Sequence, residues 1–215
     1  MDGLLIDSER KSQEILLQAA TRVGLSLSAE TMLGMVGKNN VDGTKYLESH
    51  VGSSARVNDL LLAFVELYEA EVAAGGIPMK SGVLELFSVL DEHKIPRAIA
   101  TSTHTDLARR KLERLSLLSR VDEVIGGDQV VNGKPAPDIY LKACRAIGHS
   151  VETSWACEDS PAGIEAASTA GLRAILVPDL IEPSEKMRSF AWRVVNNLTD
   201  VAAIIRTEAE VVVRR

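Results

Sequence analysis

From residue 77 onward, short apolar segments alternate with amphipathic helical segments. The apolar segments predict strands. They are IPRAIATS, VDEVIGG, SWACEDS, RAILVPD and WRVVNN. Helical patterns about 10–15 residues long lie between them, which is the spacing of strand–helix–strand units. Such units form a parallel sheet with helices on both faces. We therefore predict an α/β fold for this part of the chain.

The preceding residues, 9–74, predict helices almost throughout. ERKSQEILLQAATRVG and NDLLLAFVELYEAEVAA have apolar residues at helical spacing and end at glycines. GMVGKNNVDGTKYL lies between them and predicts a loop, since its glycines and asparagines interrupt the pattern. We expect a helical cap domain at 9–75, inserted into a core domain formed by 1–8 and 76–215.

The charge and composition exclude several classes of partner. The formal net charge is −6, which disfavours nucleic acid and anionic membranes, because both bind clustered lysine and arginine. No segment approaches the ~20 apolar residues of a membrane span. Cys144 and Cys157 have no metal-type spacing and predict reduced thiols. We expect a monomeric cytoplasmic protein, and the charge does not exclude a small phosphorylated metabolite as its partner, because such a molecule needs only a few local cations or a metal.

Adjacent carboxylates end one predicted strand. Glu158 and Asp159 follow the apolar segment WAC and precede a predicted helix. Two neighbouring carboxylates repel each other unless a cation neutralises them, and Mg²⁺ prefers such oxygen ligands. Alternatively, the pair is solvated and only caps the helix, since Asp159 and Ser160 are good N-cap residues.

Hydroxyl groups and a lysine follow other predicted strands. Thr101 ends a strand, and Ser102 and Thr103 come directly after it. Hydroxyls and backbone N–H groups at a strand-to-helix turn suit a phosphate, or they cap the helix. Lys134 lies in a loop between glycine and proline and suits a transferring phosphoryl group, although a loop lysine is commonly just solvated. In parallel sheets these strand ends share one edge.

Together these segments resemble the haloacid dehalogenase superfamily, in the branch of beta-phosphoglucomutase and its phosphatase relatives. The matching segments are DGLLIDSE, IATST, GKPAPDIY and EDSPAGIEAASTAG. The resemblance covers essentially the whole chain. It implies a Rossmann-like parallel core with an inserted helical cap and a Mg²⁺-dependent phosphohydrolase activity.

The resemblance also implies roles for individual residues. Asp2 corresponds to the family's general acid and base, whose backbone carbonyl binds Mg²⁺. Thr101 corresponds to the residue that holds a phosphoryl oxygen, and Lys134 to the lysine that steadies nucleophile and phosphate. Glu158 and Asp159 correspond to the acidic metal ligands.

The family's first motif, Asp-x-Asp-Gly, begins before this sequence does. Met1 occupies the x position, so the nucleophilic aspartate and the central strand that carries it would precede Met1. We expect the chain as given to be inactive and its longer form to act through an aspartyl-phosphate. A phosphate-binding regulatory module without a nucleophile is the alternative.

Two segments bear on the choice between phosphatase and phosphomutase. The mutases carry a cap arginine where Asn40 stands, and a Ser-Lys-Asn run where Thr103-His104-Thr105 stands. Both differences remove positive charge from the site of a second phosphate. This favours hydrolysis of a sugar, polyol or nucleoside monophosphate over a beta-phosphoglucomutase-like transfer. Ser102, Thr103, Lys38 and Asn40 are the predicted substrate-binding residues.

Overall fold

The computed structural model describes residues 1–35, 40–180 and 182–213. The chain divides into two compact units: an α/β unit of Met1–Ile6 with Met79–Arg215, and a helical unit of Asp7–Pro78. In the described ranges the helices are α1 (Ser8–Arg22), α2 (Ala29–Met35), α3 (Asn40–Val51), α4 (Ser54–Ala74), α5 (Val83–Glu92), α6 (Thr105–Arg114), α7 (Asp138–Ala146), α8 (Pro161–Thr169), α9 (Glu185–Phe190) and α10 (Leu198–Val213). The strands are β1 (Ala98–Ala100), β2 (Glu123–Ile125), β3 (Trp155–Glu158), β4 (Arg173–Leu176) and β5 (Arg193–Val194).

All strand pairs of the α/β unit are parallel, as the alternating pattern predicts. In the described residues they form a two-stranded sheet, β1–β2, and a three-stranded sheet, β3–β4–β5. Ile99 pairs with Val124 in the first sheet, and Cys157 pairs with Ile175 in the second. The predicted α/β class is confirmed.

The core of the α/β unit lies where helices cover the sheets. Ile164 of α8 and Leu176 of β4 have no exposed surface, and Ile139 of α7 is 1 % exposed. These side chains belong to one apolar cluster. Burying each contributes about 1.5–3 kcal/mol, so this packing holds the strand ends in position.

The helical unit has its own core. Leu47 of α3 with Val57 and Leu60 of α4 are fully buried and pack in one cluster. α4 begins after Ser53, whose hydroxyl accepts from the Arg56 N–H at 3.4 Å, and ends at Gly75 in a left-handed conformation (φ +73°). Both caps satisfy backbone groups that a helix end leaves unpaired.

The structure corrects several local predictions. The predicted loop GMVGKNNVDGTKYL is partly wrong, since its second half forms α3 and only residues 36–39 lie outside the described residues. Gly82 precedes α5. The sequence pattern does not predict α9. No helix among the described residues is long and apolar enough to cross a membrane.

Candidate active site

The carboxyl ends of β1 and β3 bring the predicted catalytic residues of the α/β unit together. Lys134, in the loop before α7, donates to the Ala100 carbonyl of β1 at 3.2 Å and forms an ion pair with Glu158 of β3. The two side chains are only 9 % and 5 % exposed. Lys134 therefore spans the two sheets, so the predicted convergence of the strand ends is observed.

Both carboxylate oxygens of Glu158 accept hydrogen bonds. Its Oε1 accepts from Lys134 and from the Tyr140 hydroxyl, and its Oε2 accepts from the Ser160 hydroxyl at 3.2 Å. Burial alone would raise the pKa of Glu158, but the Lys134 ammonium and these hydrogen bonds hold the pKa below its usual value. A Cβ on Gly163 would overlap this carboxylate, so glycine in the first turn of α8 leaves room for it. Glu158 is therefore an ionised carboxylate held by an ion pair and hydrogen bonds.

The pKa of Asp159 is shifted in the opposite direction to that of Glu158. Burial raises the pKa of Asp159 to about 7, and the neighbouring Glu158 carboxylate acts in the same direction, whereas the Met1 ammonium opposes both. Gly3 lies against this side chain, at a φ of +71°, and a Cβ on Gly3 would overlap its Oδ2. The net electrostatic environment therefore favours a proton on Asp159, in contrast to Glu158.

Asp2 is held by two residues of the segment that follows β1. Its Oδ1 accepts from the Lys111 ammonium at 2.6 Å, and its Oδ2 accepts from the Thr103 hydroxyl at 2.8 Å. Burial would raise the pKa of Asp2, but Lys111, the Met1 ammonium and the Thr103 hydroxyl together outweigh burial, and the pKa is lowered. The aspartate is thus ionised and fixed in place.

Thr101 and Ser102 lie in the turn that contains Thr103. Thr101 is buried, and its hydroxyl accepts from the Thr103 N–H at 3.2 Å, which shapes the turn after β1. Ser102 is exposed beside it. Thr105 donates twice to Asp128, so a carboxylate fixes the start of α6. Lys38 lies outside the described residues, and Asn40 begins α3 in the helical unit.

Sequence reasoning missed Lys111 and Tyr140. Lys111 is 6 % exposed and lies on α6 between the buried Ala108 and Leu112, the positions that line one face of a helix. A lysine within an apolar stripe is a signal for a buried ion pair, since lysine is rarely buried unless paired. For Tyr140 the sequence offers no comparable signal, because an aromatic residue in a helix is commonly a core residue.

The chemistry of these donors fits a hard divalent cation. A buried carboxylate with a raised pKa gains most from a cation, and Mg²⁺ takes oxygen ligands, commonly one or two carboxylates with other oxygens. The described residues contain no group of three His, Cys, Asp or Glu side chains arranged around one point. The predicted set uses two carboxylates and the Asp2 carbonyl, which is a different arrangement.

Comparison with known proteins decides the family. The family model described as haloacid dehalogenase-like hydrolase matches residues 1–177. The chain belongs to this family. The predicted resemblance is therefore confirmed, and the protein is a haloacid dehalogenase-like hydrolase.

Several relatives of this hydrolase are phosphatases. The chain is 32% identical over 173 residues to validoxylamine A 7′-phosphate phosphatase of Streptomyces hygroscopicus subsp. limoneus, with 80% of each chain covered. It is 31% identical over 178 residues to a phosphorylated carbohydrates phosphatase of Thermotoga maritima, with 81% of each covered. A Thermotoga maritima structure assigned as a beta-phosphoglucomutase superposes with a TM-score of 0.81 at 25% identity, covering 96% of both chains.

Proposed function

We propose that this hydrolase is a Mg²⁺-dependent phosphatase of small phosphomonoesters, with sugar phosphates as the first class to test and polyol or nucleoside monophosphates as the next. The observation that carries the proposal is the convergence of Lys134, Glu158 and Asp2 with the Thr101–Thr103 turn at the ends of β1 and β3. The phosphatase relatives support the same reaction class. Phosphoryl transfer needs mainly positioning and neutralisation of charge, which these groups supply.

Glu158, Asp159 and the backbone carbonyl of Asp2 would hold the magnesium ion. When bound, it neutralises charge on phosphate oxygens. Glu158 has a second task that follows from its contacts: its ion pair fixes the Lys134 ammonium at the ends of both sheets. Lys134 then offers a point charge to the phosphoryl group.

The remaining roles follow from hydrogen bonding. The Thr101 hydroxyl and the backbone N–H groups of the turn after it bind phosphoryl oxygens, with Ser102 and Thr103 beside them. Asp2 moves a proton to and from the leaving oxygen, and Lys111 with Thr103 fixes its two oxygens for that task. The proposed reaction passes through an aspartyl-phosphate formed by the first aspartate of the family's Asp-x-Asp-Gly motif.

Hydrolysis is favoured over phosphomutase transfer by the charges around α6. His104 is exposed and its ring lies 3.8 Å from the Asp128 carboxylate, and Thr105 is also bonded to Asp128. A negative charge therefore stands beside the residues that would have to hold a second phosphate. Lys38 and Asn40 are proposed to select the substrate. We further propose a cytoplasmic monomer without nucleic-acid or membrane partners, in keeping with the net charge of −6.

The test compares the chain as given with the chain extended upstream by its own in-frame codons. Phosphate release from p-nitrophenyl phosphate and from sugar, polyol and nucleoside monophosphates is measured with and without Mg²⁺. We expect turnover in the extended form, and only with Mg²⁺. Glu158→Gln should abolish it, and Glu123→Gln, an exposed strand glutamate at the amino end of β2, should not. Phosphate binding without turnover by either form would support the regulatory module instead.

A further inference from the structure

The two tryptophans of the chain lie together at the amino ends of the three-stranded sheet. Trp155 is the first residue of β3, and Trp192 directly precedes β5. Their ring centroids are 5.1 Å apart at an interplanar angle of 54°, a tilted arrangement that aromatic pairs prefer. The Trp192 N–H donates to the Ala174 carbonyl at 2.7 Å. This hydrogen bond fixes the Trp192 backbone, yet 39 % of the Trp192 surface is exposed.

Two exposed arginines border the Trp192 ring. The guanidinium carbon of Arg193 lies 4.6 Å from the ring centroid, and that of Arg173 lies 5.4 Å from it. Arg193 pairs with Ile175 in the sheet, and Arg173 is two residues before Ile175, so both side chains leave the same face of the sheet. Within the described ranges neither guanidinium forms an ion pair. We call Trp155, Trp192, Arg173 and Arg193 the Trp192 cluster.

A second cluster in the same unit shows what completes such an arrangement. The guanidinium carbons of Arg97 and Arg120 each lie 5.3 Å from the Phe87 ring centroid. There the Asp91 carboxylate accepts from both guanidinium groups, at 2.7 Å from Arg120. A guanidinium can lie flat on a ring and still offer its N–H donors to an oxyanion. The Trp192 cluster has the ring and the two arginines, but the part of the chain that the structure describes gives it no carboxylate.

The Trp192 cluster is separate from the candidate active site. Trp155 and Glu158 are the first and last residues of β3, and three residues of extended strand span about 10 Å. Lys134 and Glu158 lie at the carboxyl ends of the strands, whereas the cluster lies at the amino ends. A ligand of the cluster would therefore use none of the residues assigned to the phosphatase reaction.

The size of the exposed apolar surface indicates a small ligand. Trp192 and Val194 are the exposed large apolar residues at this edge among those that the structure describes, and each is 39 % exposed. A stable protein interface buries about 800 Å² on each partner, far more than two half-exposed side chains offer. One exposed indole beside two guanidinium groups matches instead one aromatic ring that carries one anionic group.

We propose that Trp192, Arg173 and Arg193 form a binding site for a small molecule that carries a carboxylate or phosphate group on an aromatic ring. The oxyanion accepts hydrogen bonds from the guanidinium groups, as Asp91 does beside Phe87, and such charge-assisted bonds are the stronger ones. The aromatic ring of the ligand packs on the exposed part of Trp192. This site does not depend on the proposed phosphatase activity.

The experiment follows the two indole N–H signals of ¹⁵N-labelled protein by NMR while benzoate is added. Both tryptophans belong to the cluster, so these signals report on this site directly. Acetate supplies the charge without the ring, benzyl alcohol supplies the ring without the charge, and phenylphosphonate tests the second anion. The variants are Arg173→Gln and Arg193→Gln. Arg145→Gln is the matched control, because Arg145 is an exposed arginine of α7 and loses the same charge.

We expect benzoate to shift the Trp192 signal saturably and phenylphosphonate to do the same. Acetate and benzyl alcohol should each bind at least about fivefold more weakly, and so should benzoate to either cluster variant. Arg145→Gln should leave the affinity for benzoate within about twofold of the wild type. A tenfold rise in NaCl concentration should weaken binding, since salt screens exposed charges.

Four results would overturn the proposal. No saturable shift of Trp192 with either aromatic anion would mean that the cluster binds neither. An equal loss in all three variants would mean general attraction of anions to the surface. A shift confined to Trp155 and unchanged in Arg193→Gln would place benzoate in the apolar cavity of about 610 Å³ that β1 and β3 line. A peptide with adjacent phenylalanine and glutamate that binds tenfold more tightly than benzoate, with the same dependence on both arginines, would assign the cluster to a partner protein.

Discussion

The ion pair between Lys134 and Glu158 is the contact whose removal should be most informative. Both side chains are almost fully buried, at 9 % and 5 % exposure. Lys134→Met keeps an unbranched apolar side chain of similar length and removes only the charge and its hydrogen bonds. Glu158 then remains a buried carboxylate with the Tyr140 and Ser160 hydroxyls as its donors.

The expected cost can be estimated from the geometry. Removing one partner of a buried pair typically costs about 3–5 kcal/mol, because the other charge is left buried without compensation. The two remaining hydroxyl donors place this case at the lower end, at ~3 kcal/mol of unfolding free energy. That is a large share of the ~5–15 kcal/mol that stabilises a domain.

The loss should depend on pH in a defined direction. In the wild-type chain the pKa of Glu158 is lowered from its ordinary 4.5: burial raises it, but Lys134 and the other partners lower it further. The ionised carboxylate therefore stabilises the fold above pH 4.5, and this stabilisation is lost as the pH falls through the folded-state pKa. In Lys134→Met, only the Met1 ammonium and the Tyr140 hydroxyl still oppose burial, so the carboxyl takes up a proton at a higher pH. The difference between wild type and variant should therefore be larger near pH 7.5 than near pH 5.

Urea unfolding followed by tryptophan fluorescence measures this, because Trp155 and Trp192 both belong to the α/β unit. Lys186→Met is the matched control: Lys186 is 70 % exposed and pairs with Glu165 at the surface, where such a pair contributes only about 0–1 kcal/mol. Adding Glu158→Gln to Lys134→Met should recover part of the loss. A loss below ~1 kcal/mol near pH 7.5, or one that does not shrink near pH 5, would refute the reasoning.

Three further substitutions test other parts of the unit. Burial and Glu158 raise the pKa of Asp159 to about 7 against the Met1 ammonium, so the folded state binds the extra proton and stability falls as the pH rises from ~4 to 7. Asp159→Asn should raise the unfolding free energy by ~2–4 kcal/mol near pH 8 and leave it unchanged near pH 3, and it should abolish any rise in melting temperature caused by Mg²⁺. Lys111→Met leaves the partly buried Asp2 carboxylate with the Thr103 hydroxyl as its donor, and ~1–3 kcal/mol should be lost in urea unfolding; an unchanged midpoint would show that the pair is solvated. Leu176→Ala, at a fully buried site, should cost ~2–5 kcal/mol by the same measurement, whereas a cost under ~1 would mean that neighbouring side chains fill the space left by the shorter side chain.

Much of the fold was accessible from local pattern. The sequence predicts the strands and most helices, because hydrophobic periodicity and the residues that begin and end helices depend on near neighbours in the sequence. Ser160, for example, was recognised as a helix N-cap, and its hydroxyl accepts from the Gly163 N–H at 3.1 Å. The prediction failed over the start of α3, where tertiary packing of Leu47 outweighs the turn-forming tendency of GKNNVDG.

The candidate site was accessible in part. Thr101, Lys134 and the Glu158–Asp159 pair were found because carboxyl ends of parallel strands share one edge. The partners that set their charge states could not be found in the same way. Lys111 lies 109 residues from Asp2, and Tyr140 lies 18 residues from Glu158. Nothing in local sequence specifies which of many such pairs will meet.

The sequence by itself therefore determined the element types, the parallel α/β class and the residues that follow each strand. Each of these depends on the pattern of apolar and polar residues within a short stretch of sequence. Only the tertiary structure decided that the Lys134 ammonium lowers the pKa of Glu158 while burial raises the pKa of Asp159. The apolar cavity between β1 and β3 is likewise a property of the packed unit. Charge states and cavities depend on burial and on distances between segments far apart in the chain, and these are set only when the whole unit packs.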